Sequence, residues 1–241
     1  MAYVERVVDC PLVSCTWEQR ADVPHEQRVV PDACVDLIWS GERLTVAGPD
    51  TRARLVALSA GTRIVGVRLR PGVAGPVLGL PASELRDETP SAADVIGAVP
   101  AESLLEDLHT AGDPQAVLLR AVAFGARSTP DPLVRAAVTA LDQRRAGVAT
   151  VAAELGVSAR QLQRRVADAV GYGPKMLARV LRFRRLQSLA ARHAREPSGA
   201  PLVDLALDAG YADQAHMTAE VTQLAGLSPV RFLKDRSPTT A

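Results

Sequence analysis

Hydrophobic positions along this chain change their spacing twice. Up to about residue 80 they fall in short runs, at 34–39, 43–46, 54–58 and 64–69, separated by Gly, Pro, Asp and Ser. In the last run Val65, Val67 and Leu69 alternate with Gly66, Arg68 and Arg70, the two-residue period of a strand. This predicts a compact, mostly antiparallel sheet or partial barrel, with a short helix or turn over 71–81. From residue 91 the period turns helical, over 103–108 and 114–124. The second segment places Val117, Leu118, Ala121, Val122 and Phe124 mostly on one side. The segment STPDP at 128–132 breaks that pattern. It marks the expected boundary between a mainly β N-terminal domain, 1–128, and an all-α C-terminal domain, 129–241, an α+β chain as a whole. Asp131 is the expected cap of the next helix and Pro132 lies in its first turn; Leu133, Val134, Ala137, Val138 and Leu141 form its apolar stripe.

In the last hundred residues one arrangement occurs twice: a short apolar helix, a turn containing glycine, and a helix with a polar outer face. In the first copy, 148–166, Thr150 is expected to cap a helix running to about Leu155. Gly156 supplies the turn and Ser158 caps the next helix. Leu162 and Val166, four apart, face inward and leave Arg160, Gln161, Gln163 and Arg164 outward near the helix N-terminus. Pro174 opens a connecting helix expected to reach about Arg195, 22 residues. Its length is then roughly 33 Å, close to one turn of DNA at about 34–36 Å. In the second copy, 202–221, Leu202, Leu205, Ala206 and Ala209 form the first helix, Gly210 the turn and Asp213 the cap. Gln214, Ala215, His216 and Thr218 then face outward, and Ser228 and Pro229 start a closing helix over 227–233. Two such units fit neighbouring major-groove segments, so the pattern predicts a sequence-specific binder of double-stranded DNA. Arginine can contact guanine in bidentate fashion and glutamine can pair with adenine.

Charge supports this. The formal net charge of +1 hides an asymmetry: residues 1–130 carry 12 arginines against 17 acidic residues, while 131–241 carry 16 basic against 10 acidic. Between Arg160 and Arg185 there are eight basic residues and one acid, Asp168. A basic domain is the electrostatic footprint of a polyphosphate partner. Ser158, Arg165, Lys175, Arg179, Arg182 and Thr218 are the expected phosphate contacts. Nothing at the N-terminus has the pattern of a secretory signal, and no apolar run reaches the length of a membrane span. A cytoplasmic location is expected.

On these residues, 131–236 resembles the C-terminal DNA-binding domain of the AraC/XylS family of transcription regulators. DAGYADQAHM (208–217) is similar to that family's signature for the second unit, GLSPVRF (226–232) to its closing segment, and SARQLQRRV (158–166) to its first recognition helix. The resemblance implies that Arg160, Gln163 and Arg164 read bases, with Gln214, Ala215, His216 and Ala219 at the matching positions of the second unit. The second unit departs from the family, with Ala219, Thr222 and Gln223 where basic residues are usual, and Glu220 adding a negative charge. Its usual aromatic core positions are Met217, Val221 and Ala225, with Leu224 beside them. The first unit is therefore expected to dominate affinity.

VPDACVDLIW (30–39) and LTVAGPDTRA (44–53) resemble an uncharacterised N-terminal domain of actinobacterial AraC-type regulators. The family's organisation implies a sensing or dimerising domain, with 103–124 as dimerisation or coupling helices. A small-molecule effector, a second copy of the chain and RNA polymerase are the further partners it admits. Trp17, Asp36, Trp39 and Arg68, with Arg70, are the candidate effector pocket, against core tryptophans and solvated arginines as the plainer reading. Cys10, Cys15 and Cys34 give the alternative function, a thiol- or metal-responsive regulator or a DNA-repair methyl acceptor. Their spacing matches no CxxC pattern, and their odd number argues against a disulfide framework. No catalytic constellation or phosphate-binding loop is present in the sequence, so no enzyme activity, cofactor or metal is expected.

Overall fold

The computed structural model describes residues 2–143, 147–193 and 201–235. Its first half is built on strands β1 (Ala2–Arg6), β2 (Val13–Arg20), β3 (His25–Val29), β4 (Val35–Trp39), β5 (Leu44–Ala47), β6 (Arg54–Leu58) and β7 (Arg63–Leu69). Five of them form an antiparallel sheet in the order β1-β2-β7-β4-β5, and β3 pairs with β6 as a separate antiparallel ribbon. No barrel closes among the described residues.

Register decides which side chains share a face. Asp36 stands opposite Arg68 and Leu37 opposite Val67. The period of two then sends Leu37, Trp39, Val65, Val67 and Leu69 into the apolar core of this half. Asp36, Gly66 and Arg68 fall on the other face. That second face is covered too, so Gly66 and Arg68 are as buried as their neighbours. The alternation in β7 therefore separates an apolar face from a polar one, both inside the molecule.

Four helices follow: α1 (Ala74–Leu78), α2 (Ala92–Ile96), α3 (Ala98–Thr110) and α4 (Pro114–Gly125), with a 3₁₀ turn at Ala82–Leu85. Leu108, Val117, Leu118 and Val122 pack into the same core as the sheet. Phe124, expected beside them, is 86% exposed. It lies in the last turn of α4, and the core that it would join stops at Val122.

The second half is helical: α5 (Pro132–Gln143), α6 (Val148–Glu154), α7 (Ala159–Val170), α8 (Pro174–His193), α9 (Leu202–Ala209), α10 (Gln214–Ala225) and α11 (Pro229–Lys234). Asp131 caps α5 as expected, accepting from the amides of Leu133 at 2.9 Å and Val134 at 3.4 Å. The cap of α6 is Gly147 rather than Thr150, which lies inside the helix. Extended backbone at Gly147 starts that helix one turn earlier than the hydroxyl suggested. The described part of α8 is 20 residues, about 30 Å at 1.5 Å per residue; its expected end at Arg195 lies outside the described residues. Leu162, Val166, Leu177, Phe183, Met217 and Leu224 are among the most deeply buried side chains of this core. No described helix is long and apolar enough to cross a membrane.

Val30 and Ala33, from the first half, belong to the second core. The two halves also join through backbone: the Ala53 amide donates to the Leu224 carbonyl at 2.7 Å, and Arg28 Nη1 donates to the Ala225 carbonyl at 3.0 Å. Both acceptors are last-turn carbonyls of α10, which have no partner inside the helix. Gly171, at the end of α7, abuts Pro49 so closely that a Cβ there would stand 2.3 Å from the proline ring.

Candidate nucleic-acid interface and polar cavity

The first helix-turn-helix is closed by local hydrogen bonds. Gly156, with φ of +66°, lets the chain reverse after α6, and the Val157 amide donates to the Ala152 carbonyl at 3.0 Å. Ser158 and Gln161 then form a capping box: Ser158 Oγ accepts from the Gln161 amide at 3.2 Å, while Gln161 Oε1 accepts from the Ser158 amide at 2.9 Å. Leu162, Val166 and Val170 fix the inner face of α7. Arg160, Gln163 and Arg164 are exposed on its outer face. Among the described residues neither Arg160 nor Arg164 has an ion-pair partner.

Other expected contacts are already engaged. Ser158 Oγ and Gln161 Oε1 are spent on the cap. The Gln163 amide folds over Gly173, where a Cβ would lie 2.1 Å from its Nε2. Arg165 turns away from the outer face and grips Asp131 with two hydrogen bonds, 2.7 and 2.6 Å. Burial works against the Asp131 charge, but Arg165 and the Leu133 and Val134 amides outweigh it and hold the carboxyl below the usual range. This pair ties the start of α5 to α7.

The second unit repeats the turn with different electrostatics. Asp213 caps α10, accepting from the His216 amide at 2.7 Å. Met217, Val221, Leu224 and Ala225 are all buried, so the aliphatic residues fill the core positions. Its outer face, Gln214, Ala215, Thr218, Ala219, Thr222 and Gln223, is an open, uncharged surface. Thr218 points its hydroxyl proton back at the Gln214 carbonyl, 2.8 Å away.

Glu220 gathers the cations beside this face. Arg182 reaches it with two hydrogen bonds, 3.1 and 3.2 Å, and also lies 5.1 Å over the Tyr211 ring. Arg179 pairs with it at 3.3 Å and also donates to Gln223. His216 accepts from the Ala212 amide at Nδ1, so its proton sits on Nε2, 3.2 Å from Glu220. Two of the expected phosphate contacts and one expected base contact thus converge on one carboxylate. Lys175 stays exposed. The sequence signal for Glu220 was its charge alone; its partners on α8 come from tertiary packing.

Three of the four candidate pocket residues meet. Trp17, Asp36 and Arg68 line a cavity of about 70 Å³ between the sheet and the β3–β6 ribbon. Trp39 does not, because it points to the opposite face of β4 and packs in the apolar core, edge-on to His109 with ring centroids 6.1 Å apart. Arg70 is exposed beyond the end of β7. Trp17 lies flat over Gly66, its partner across the ladder, where a Cβ would meet the indole at 2.3 Å. Arg68 is held by Asp36 through two hydrogen bonds of 3.1 Å, by Glu5 at 3.1 Å and by Asp32 at 3.2 Å. Burial, reinforced by Asp32 and opposed by Arg68, pushes the Asp36 carboxyl up to about 6.

Sequence reading did not find Gln19, Gln27 and Asp32, which complete this cavity. Gln27 sits on β3, whose sequence HEQRV is too polar to read as a strand. Burial also pushes the Cys15 thiol up to about 12 and the Cys34 thiol higher still, so both are held as thiols. Among the described residues no group of three His, Cys, Asp or Glu side chains is placed to hold a metal ion.

Residues 151–235 match the family described as a helix-turn-helix domain, and residues 4–91 match a domain of unknown function. Among solved structures, the chain is similar to the C-terminal domain of AraT, a response regulator from Geobacillus stearothermophilus, at 24% identity over 47% of this chain and 95% of that one, TM-score 0.40. It is also similar to ToxT from Vibrio cholerae O395 at 10% identity over 91% and 92% of the two chains, TM-score 0.45. Wild-type ToxT from strain SCE256 with bound unsaturated fatty acid is similar at 11% identity over 99% and 97%, TM-score 0.46. No curated protein sequence matches the chain.

Proposed function

From a C-terminal helix-turn-helix domain of the AraC type, residues 151–235, we propose a sequence-specific transcription regulator whose N-terminal half governs how its two DNA-binding units are presented. The observation that carries this reading is the outer face of α7, where Arg160 and Arg164 stand exposed, without an ion-pair partner among the described residues, beside a capped helix N-terminus. That is where a recognition helix offers side chains to base edges. Arg160 and Arg164 are the base readers, joined by Gln163 once its amide swings off Gly173, and Lys175 is a phosphate contact. Gln214 and Ala215 follow the groove in the second unit with little charge.

Domain limits of 1–128 and 129–241 fit the two cores, with one refinement: Val30 and Ala33 pack in the second. This supports control by a bound effector. The segments around Val30–Cys34 and Pro49–Arg54 line the polar cavity on one side and grip α7 and α10 on the other. A ligand that moves either segment changes the footing of both units. Residues 103–124 remain the candidate surface for a second copy of the chain.

Selection from a random duplex library with the full chain tests the reading. Enrichment of a single motif supports it; enrichment of none, with uniform binding, overturns it in favour of an architectural DNA-binding protein.

A further inference from the structure

The cavity between the sheet and the ribbon carries a charge imbalance that its own residues do not resolve. Arg54 is matched with Asp50, 3.0 Å away. Glu5, Asp32 and Asp36 converge on the guanidinium of Arg68, which is only 8% exposed, and the charge of Arg184 on α8 also acts on Asp32. Three carboxylates against these two cations leave a formal excess of one negative charge where burial makes it costly. The upward displacement of the Asp36 carboxyl is one consequence.

A second, independent feature lies on the same walls. Trp17 and Gln27 both line the cavity, and they are 7% and 2% exposed. Trp17 Nε1 and Gln27 Nε2 have no hydrogen-bond partner. Gln27 Oε1 accepts from Gln19 Nε2 at 2.9 Å, which fixes the amide and leaves its Nε2 as an unused donor. Unmade bonds of this kind are costly in a buried site. Water could satisfy the donors but not the charge, and an anion would satisfy the donors while worsening the charge. The Trp17 and Tyr3 rings, with centroids 6.0 Å apart, add an aromatic wall that favours a cation.

We propose that this cavity binds a small organic cation that also carries an oxygen acceptor, of the size of glycinamide or an amino alcohol. Its ammonium group faces Asp32 and Asp36, and its oxygen accepts from Trp17 Nε1 and Gln27 Nε2. At about 70 Å³ the cavity excludes anything much larger without movement of the ribbon. This names the ligand chemistry of the effector control inferred above and rests on that reading.

Isothermal titration calorimetry of the full chain without DNA tests it, so a failure here leaves the DNA-binding reading untouched, and the reverse. The probes are glycinamide, ethanolamine, ethylammonium and acetate. The expected result is saturable binding of glycinamide or ethanolamine, at least tenfold tighter than ethylammonium and acetate, and weakened at least tenfold by Asp36→Asn. Gln27→Leu keeps the charges and removes one donor; it should reduce the preference over ethylammonium, and it decides the matter if Asp36→Asn does not fold. Absence of binding by both glycinamide and ethanolamine, or equal binding of acetate or ethylammonium, overturns the proposal.

Discussion

Glu220 on the second recognition helix holds Arg182 of the connecting helix through two hydrogen bonds, 3.1 and 3.2 Å. The carboxylate is 12% exposed and takes in Arg179 and His216 as well. Arg179, Arg182 and His216 are thereby engaged within the protein. The basic charge of the C-terminal half is unevenly available: among the described residues Arg160 and Arg164 of α7 have no ion-pair partner, whereas the outer face of α10 carries no charge.

Glu220→Gln keeps the side chain's size and removes its charge. Freed of the ion pairs, Arg179 and Arg182 become available to DNA. Each new phosphate contact steepens the dependence of log affinity on log salt by about 0.9, so a change of about one to two contacts is expected. Fluorescence anisotropy from low to moderate salt measures it. An unchanged slope would mean that these arginines stay on the protein.

Arg28→Ala removes the donor that the first half offers to the Ala225 carbonyl. A hydrogen bond to a charged group contributes about 1.5–3 kcal/mol, and the partial exposure of Arg28 puts this one toward the lower end. Urea unfolding should show that loss. Faster hydrogen exchange in the last turn of α10 should accompany it if the contact clamps the second unit.

Two glycines with positive φ separate local from interdomain strain. Gly156, at +66°, has open space around its missing side chain, whereas Gly171, at +96°, faces the Pro49 ring. Gly156→Ala should lose about 1 kcal/mol of stability from backbone strain alone. Gly171→Ala adds the collision with Pro49 and should lose more, measured by the shift in urea midpoint. Equal losses would mean that the two halves do not press together there.

Asp131 and Glu18 set part of the acid limb of stability. Arg63 and Arg20 draw the Glu18 carboxyl down to about 2 despite opposing burial, and Asp131 is also held below its usual value. A carboxyl that is lower in the folded state contributes fully above its unfolded pKa, about 4, and loses that contribution as pH falls through the folded value. Asp131→Asn should therefore destabilise at pH 7 and match the wild type at pH 2, with thermal melting across that range as the measurement.

Much of this was legible in the sequence. Gly156, Ser158, Gly210 and Asp213 identified both turns, because a reversal followed by a cap needs those residue types locally. Four strands were found from their period, but β1, β2 and β3 were not; on β3, Gln27 lines a cavity rather than facing an apolar core. Trp39 was misplaced for a related reason: the alternation in β4 is clear, but composition does not say which face holds the cavity. The cap of α6 and the exposure of Phe124 were misjudged because both depend on where a helix ends. Neither the arginines of the Glu220 cluster nor the Asp131–Arg165 pair could be read, as these arginines lie 34 or more residues from their carboxylates.

The most direct measurement compares Arg164→Ala with Gln214→Ala on the motif enriched from random DNA. Arg164→Ala should abolish specific binding in a mobility-shift assay, while Gln214→Ala should only weaken it. Equal losses from the two substitutions would contradict a binder that reads its site chiefly through the first unit.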